Sequence, residues 1–225
     1  MHNPAVTKYD MHVISGGQTG VDLAALRVAQ CLGLKTGGTA PFGFKTTAGP
    51  RPQLKTTFRL EEGRGGYSDR TRKNVERSQA TLILAYNFES SGTQLTIAAC
   101  KASQRPFFQV NLPSPAQGSI QLGSPQVLDA VNFVSAQASS CGSESFILNV
   151  AGNSSQTCKG IFVPAFYMFA EIMLQVAFRI DAIESAHLQQ FRQGIFSNPQ
   201  LVHALSDNYD YHGELDPRGM KGLII

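Results

Sequence analysis

Between His12 and Asp22 the chain reads His-Val-Ile-Ser-Gly-Gly-Gln-Thr-Gly-Val-Asp, a short apolar run that breaks into glycines and opens into an alanine- and leucine-rich segment. Residues of these types in this order suit an anion, above all a phosphate. Val13 and Ile14 are β-branched and read as the end of a buried strand, while Gly16 and Gly17 allow a tight turn and a close ligand approach that a Cβ would block. From Gly20 the apolar positions Val21, Ala24, Ala25, Val28, Ala29 and Leu32 follow a helical period. The first turn of that helix, with its unpaired N–H groups and positive dipole end, therefore lies against the loop. Gly16, Gly17, Gln18, Thr19 and Gly20 are candidate phosphate contacts. Their spacing matches neither G-x-G-x-x-G nor G-x-x-x-x-G-K-S/T, so it specifies neither a dinucleotide nor a nucleoside triphosphate. A glycine-rich connection that binds nothing would give the same pattern, since a fold by itself does not set function.

Two further polar loops have a similar character. Ser90, Ser91, Gly92 and Thr93 precede the apolar segment Leu95 to Ala102 and offer hydroxyls beside a second helix start. Asn149, Gly152, Asn153 and Ser154 lie at the end of the apolar run Phe146 to Val150 and offer amide and hydroxyl contacts. Lys45 in a long loop, with Arg70 and Asn74 on a polar helix, would add charge and hydrogen bonds. Each also has an ordinary reading. Lys45 can be a solvated charge, at least two of Arg70, Arg72 and Lys73 must face water, and Asn74 can pair locally along its helix. Thr93 can serve as a helix cap.

These loops need a frame that brings them together, and strand and helix signals alternate as a parallel sheet with helices on its faces requires. The pattern predicts an α/β fold with an open, mostly parallel sheet and helices on both faces. After the first strand and helix, Leu34 to Thr39 reads as a short strand, and Ala40 to Pro52 as a loop too long to be a mere connection. Leu54 to Leu60 reads as extended, and Ser68 to Ser78 as a polar helix with Ser68 as N-cap and Asp69 in its first turn. Ala80 to Tyr86 reads as a central strand buried on both faces. The helix Leu95 to Ala102, the strand Phe107 to Leu112, a helix over Pro125 to Ala138 and a last strand Phe146 to Val150 follow. One ligand-binding domain over 1–185 is expected, with a loop-rich insertion at about 113–143 and a peripheral extension over 186–225. In an open parallel sheet the three polar loops gather at the carboxyl edge, where ligands bind.

Composition narrows the ligand. A formal charge of +3 is mildly basic, and without a long lysine-arginine run it argues against nucleic acid and suits a small anion. Cys31, Cys100, Cys141 and Cys158 are far apart with no C-x-x-C pair, so neither zinc nor a disulfide framework is expected, and reduced thiols suit a cytoplasmic protein. The five histidines are dispersed, so no metal site is expected. Met1 to Tyr9 lacks the apolar region of a secretory signal. Residues 160–178 are strongly apolar, but Pro164 and Glu171 interrupt them, so the expectation is a buried or subunit-packing helix and not a membrane span.

Taken in order, SGGQTGVDLAAL at 15–26, GGTAPFGFKTTAG at 37–49, DRTRKNVERSQATLIL at 69–84, SGTQLT at 91–96 and ILNVAG at 147–152 resemble the molybdenum cofactor carrier proteins. The resemblance covers about residues 10–178. It implies a Rossmann-like fold related to the cytokinin-activating phosphoribohydrolases and a homo-oligomer, dimer or tetramer. It also implies a protein that binds, protects and stores the molybdenum cofactor, molybdopterin, for transfer to molybdoenzymes such as nitrate reductase. In the related phosphoribohydrolases a PGG-x-GT-x-x-E motif supplies a catalytic glutamate; here Gly92-Thr93 matches the GT, and Thr96 stands at the glutamate position. No aspartate or glutamate lies on that helix, and Glu89 precedes the loop. The resemblance therefore implies a carrier without a catalytic residue. A phosphoribohydrolase acting on nucleoside 5'-monophosphates and a nucleotide-sensing module are the alternatives. The chain departs from the family pattern at Gln79, at Gly152-Asn-Ser-Ser155 and near Thr46 and Thr47, where acidic residues are usual.

Overall fold

The structure is a computed structural model that describes residues 10–113, 124–142 and 145–180, together with 193, 194 and 202. The first strand and helix are β1 (Met11–Ile14) and α1 (Val21–Cys31). A run of short pieces follows: β2 (Lys35–Gly37), β3 (Thr39–Ala40), β4 (Lys45–Thr46), β5 (Gly49–Pro50), α2 (Leu54–Phe58) and β6 (Glu61–Glu62). The remaining elements are α3 (Tyr67–Arg77), β7 (Ala80–Ala85), α4 (Ser91–Ala102), β8 (Phe107–Asn111), α5 (Pro125–Ser140), β9 (Phe146–Gly152) and α6 (Phe162–Arg179).

Five strands form one parallel sheet in the order β2-β1-β9-β7-β8. Every residue of β7 is buried, as its consecutive Leu82, Ile83 and Leu84 demand. Parallel strands are joined by right-handed crossovers, and β1 to β2 runs in the opposite direction across the sheet from β7 to β8, so α1 and α4 cover opposite faces. α6 packs between α1 and α5 on one face, and α3 packs on α4 on the other. The expected α/β frame is present, Rossmann-like and with helices on both faces.

The last strand lies in the middle. If β9 and α6 were moved ahead of β1, the five strands would read 3-2-1-4-5, the order of a doubly wound nucleotide-binding sheet. In that frame the order of connection reverses between β9 and β7, and ligands bind in the crevice at such a reversal.

Several local expectations are corrected. Leu54 to Leu60 is not extended: Leu54 and Phe58 are buried one helical turn apart in α2, which stops at Arg59 with φ 57°. Ser68 is not an N-cap; α3 begins at Tyr67 after Gly66, and Ser68 is exposed in its first turn. The strand expected over Leu34 to Thr39 is broken into β2 and β3 at Gly38, whose φ of 120° and close approach to the Ser15 carbonyl exclude a side chain. The helix expected from Leu95 begins four residues earlier, at Ser91. Within 113–143, α5 occupies the larger part, and 114–123 and 143 lie outside the described residues. Of 186–225, Val202 is buried in the main core, and apart from 193 and 194 the rest lies outside the described residues.

The apolar stretch 160–178 forms α6, a helix long and apolar enough to cross a membrane, yet most of it is buried among α1, α5 and the sheet. Pro164 falls in its first turn, where no N–H partner is needed, and so does not break it. Glu171 is fully buried and accepts a hydrogen bond from Gln175 Nε2 at 2.7 Å.

Candidate functional site

Because β1, β9 and β7 are neighbours and parallel, the loops that leave their carboxyl ends meet at one edge of the sheet. The β1–α1 loop (15–20), the β7–α4 loop (86–90) and the β9–α6 loop (153–161) are the three that the sequence singles out.

The β1–α1 loop is buried throughout. Gln18 turns its Oε1 back onto the loop, where it accepts from Thr19 N at 2.8 Å, Thr47 N at 2.9 Å and Thr47 Oγ1 at 3.1 Å. The β4–β5 hairpin, which carries exposed Lys45, is thereby fastened over the loop. Asp22, in the first turn of α1, accepts from Gln18 N at 3.2 Å and pairs with Arg70 Nη1 at 3.2 Å. Burial pushes the Asp22 carboxyl above its ordinary value, although the Arg70 guanidinium and the Gln18 N–H pull the other way. Gly16 makes room, as expected, but for the chain itself: a Cβ there would lie 2.0 Å from Arg70 Nη1. Gly17 faces Leu54 and Leu60, and Gly20, at φ 85°, faces the Asn153 carbonyl. The first turn of α1 is thus occupied by the protein's own carboxylate and amide.

Three amides expected to meet ligand are hydrogen-bonded within the frame. Asn153 is 2% exposed and clamps the β7–α4 loop. Its Oδ1 accepts from Tyr86 N at 2.9 Å and Asn87 N at 2.8 Å. Its Nδ2 donates to Asn87 O at 2.8 Å and to Ser90 Oγ and Thr93 Oγ1, both at 3.1 Å. Asn149 lies within β9, buried, and donates to Thr81 Oγ1 at 3.2 Å. Asn74 pins β3 through both backbone groups of Thr39, at 2.7 and 3.1 Å. Gly152 permits close packing of β9 on β7, since a Cβ would lie 1.8 Å from the Leu84 carbonyl.

The first turn of α4 is different. Ser90 holds the N-cap position in an extended conformation but makes no side-chain cap bond; its hydroxyl donates to Thr93 Oγ1 at 2.9 Å. Ser91 and Gly92 are exposed, no acidic residue lies in the turn, and a Cβ on Gly92 would meet nothing within 4 Å. Thr96 is buried and donates to the Gly92 carbonyl at 3.1 Å, so its hydroxyl is held along the helix. Glu89 is exposed in the loop.

Residues that sequence reasoning missed are Asp22, Thr47 and Ser155. Asp22 had a signal, because an acid in the first turn after a glycine-rich loop can satisfy that helix end itself. Thr47, and Ser155, whose N donates to Thr19 Oγ1 at 3.3 Å, come from distant segments and had none. Among the described residues no group of three or more His, Cys, Asp or Glu side chains is placed to hold a metal ion.

A parallel sheet of permuted doubly wound order, with its polar loops gathered at the reversal of connection, defines a Rossmann-like protein. The chain belongs to the circularly permuted YpsA SLOG family, whose model matches residues 13–173, from β1 into α6. It is also similar to a crystal structure from Syntrophus aciditrophicus SB of a protein with the proposed role of molybdenum carrier. The identity is 27% and the TM-score 0.57, over 78% of this chain and 97% of that one. No curated protein matches the sequence significantly.

Proposed function

We propose that this protein binds the molybdenum cofactor as cargo, holding its terminal phosphate at the first turn of α4 and its pterin across the end of β9. The observation that carries the reading is that α4 opens at the reversal of connection with an exposed, acid-free, uncapped turn, where N–H groups lack intrahelical partners. The corresponding turn of α1 already holds Asp22 and Gln18, so the phosphate expected at Gly16 to Gly20 is reassigned to Ser91, Gly92 and Thr93. Likeness to a proposed molybdenum carrier supports the choice of cargo. A carrier needs no acid or base on α4, and Thr96 supplies neither. The reading entails a cytoplasmic protein, homo-oligomeric, that releases its cargo to molybdoenzymes such as nitrate reductase.

Anaerobic incubation of the purified protein with the cofactor, followed by gel filtration, tests it. Molybdenum and pterin fluorescence should travel together with the protein in fixed ratio. Passage of the protein free of both would sink the proposal, and release of free base from AMP would favour a nucleotide hydrolase in its place.

A further inference from the structure

Two exposed tyrosines border the crevice at the reversal of connection. Tyr86, the first residue after β7, is 53% exposed, and Tyr67, the first residue of α3, is 43% exposed. Among the described residues neither ring is stacked on another. Tyr67 precedes Arg70 by three residues, so the two share a face of α3, and the Arg70 guanidinium lies over Gly16 at the end of β1. Tyr67 therefore stands on the β1 side of the end of β9, and Tyr86 on the β7 side. Single exposed rings are ordinary on a protein surface, and what sets this place apart is how Tyr86 is held. Asn153 Oδ1 accepts from Tyr86 N at 2.9 Å, and its Nδ2 donates to Thr93 Oγ1 at 3.1 Å. The backbone that carries the Tyr86 ring and the open turn of α4 thus lie within the span of one amide and two hydrogen bonds. An exposed ring on a fixed root, beside an anion seat, suits a ligand that is flat at one end and phosphorylated close by.

We infer that Tyr86 is a ligand-binding residue that stacks a flat heteroaromatic ring, pterin-like or purine-like, at the end of β9, and that Tyr67 borders the same ring from the β1 side. A tyrosine has only two torsions to fix, so it offers a broad apolar face at small entropic cost. The phosphate of the same ligand lies at Ser91, Gly92 and Thr93. That the ring is a pterin rests on the cargo reading; the stacking itself does not.

The chain contains no tryptophan, so Tyr86→Trp in the full chain carries a single fluorescent reporter at the stacking position. It is titrated without air with the molybdenum cofactor, with AMP, and with inorganic phosphate, which has no ring. Its emission should fall saturably with the cofactor or with AMP and stay unchanged with phosphate. In equilibrium dialysis of whichever ligand binds, Tyr86→Ala should weaken affinity about tenfold or more, and Tyr67→Ala about fivefold, with unchanged circular dichroism spectra. Tyr86→Phe, which keeps the ring, should restore what Tyr86→Ala loses. Emission unmoved by both ringed ligands, or a loss in Tyr86→Phe equal to that in Tyr86→Ala, overturns the inference. Undiminished affinity in Tyr67→Ala overturns its second half. Cofactor retained undiminished by Tyr86→Ala would refute this inference and leave the cargo reading standing. A saturable response to AMP in a protein that retains no cofactor would refute the cargo reading alone.

Discussion

The first turns of α1 and α4 stand two strands apart at the same edge of the sheet, one closed by the chain and the other open to solvent. At α1 the loop is buried, Asp22 sits in the turn, and Gln18 accepts from Thr19 and from the hairpin above. At α4 the turn has no acid, Ser91 and Gly92 are exposed, and Asn153 shapes the loop from behind without covering it. Both have the dipole that attracts an anion, but at α1 the N–H groups of Val21 and Leu23 already donate to the Asn153 and Gln18 carbonyls. What separates them is whether the protein brings its own.

The comparison can be broken most forcefully at Asp22. Asp22→Ala would leave Arg70 buried without its partner and should cost about 3–5 kcal/mol in urea unfolding. A loss below about 1 kcal/mol would mean that α1 is not closed by an ion pair at all. The same residue has a pH signature. Its carboxyl titrates above 3.8 in the fold because of burial, so the protonated form is the one that folding favours. Its contribution to stability is complete below about 3.8 and is lost as pH rises through the folded value. Stability curves of wild type and Asp22→Asn should therefore diverge over that window, with wild type losing ground as pH rises. The opposite slope would show that Arg70 outweighs burial.

Asn153→Ala probes the support behind α4 and should cost about 1–3 kcal/mol, because Tyr86 N and Asn87 N lose a shared acceptor. Hydrogen exchange should accelerate at residues 86–90 and remain slow in β1. Uniform acceleration would mean that Asn153 supports the whole sheet and not one loop. The smallest energy carries the sharpest contrast. Gly92→Asp would place an acid at the α4 turn, where α1 has Asp22, and should stabilise the protein by about 0.3–1 kcal/mol. It should at the same time abolish cofactor retention. Retention undiminished in that variant would remove α4 from the site.

The alternation of elements was legible because it is local: β7 announces itself through Leu82, Ile83 and Leu84, and α1 through its helical period. The position of β9 was not legible, since its partners Met11–Ile14 and Ala80–Leu84 are far away in the chain and no local pattern names them. α2 was misread because Thr56 and Thr57 favour strand, while the buried pair Leu54 and Phe58 that decides for helix is only one turn long. At the site, residue types that contact ligand are the same types that brace loops. Asn153 and Asn74 satisfied every sequence criterion for a ligand contact, and only their partners reveal that they are bonded to backbone. Gly16 was rightly read as a place where a Cβ would intrude, and what it admits is Arg70.

The central position of β9 also dictates an order of assembly. β1 with β2, and β7 with β8, can each pair early, but no strand pairing joins the two halves of the sheet until residues 146–152 have left the ribosome and slipped between them. Until then β1 and β7 each present an unpaired parallel edge, which is the kind of surface that recruits chaperones or aggregates. Such long-range pairing is slow. Pulse-labelled hydrogen exchange during refolding should therefore find protection in β1 and β7 rising together with that of β9, as an arch becomes rigid only when its keystone drops in.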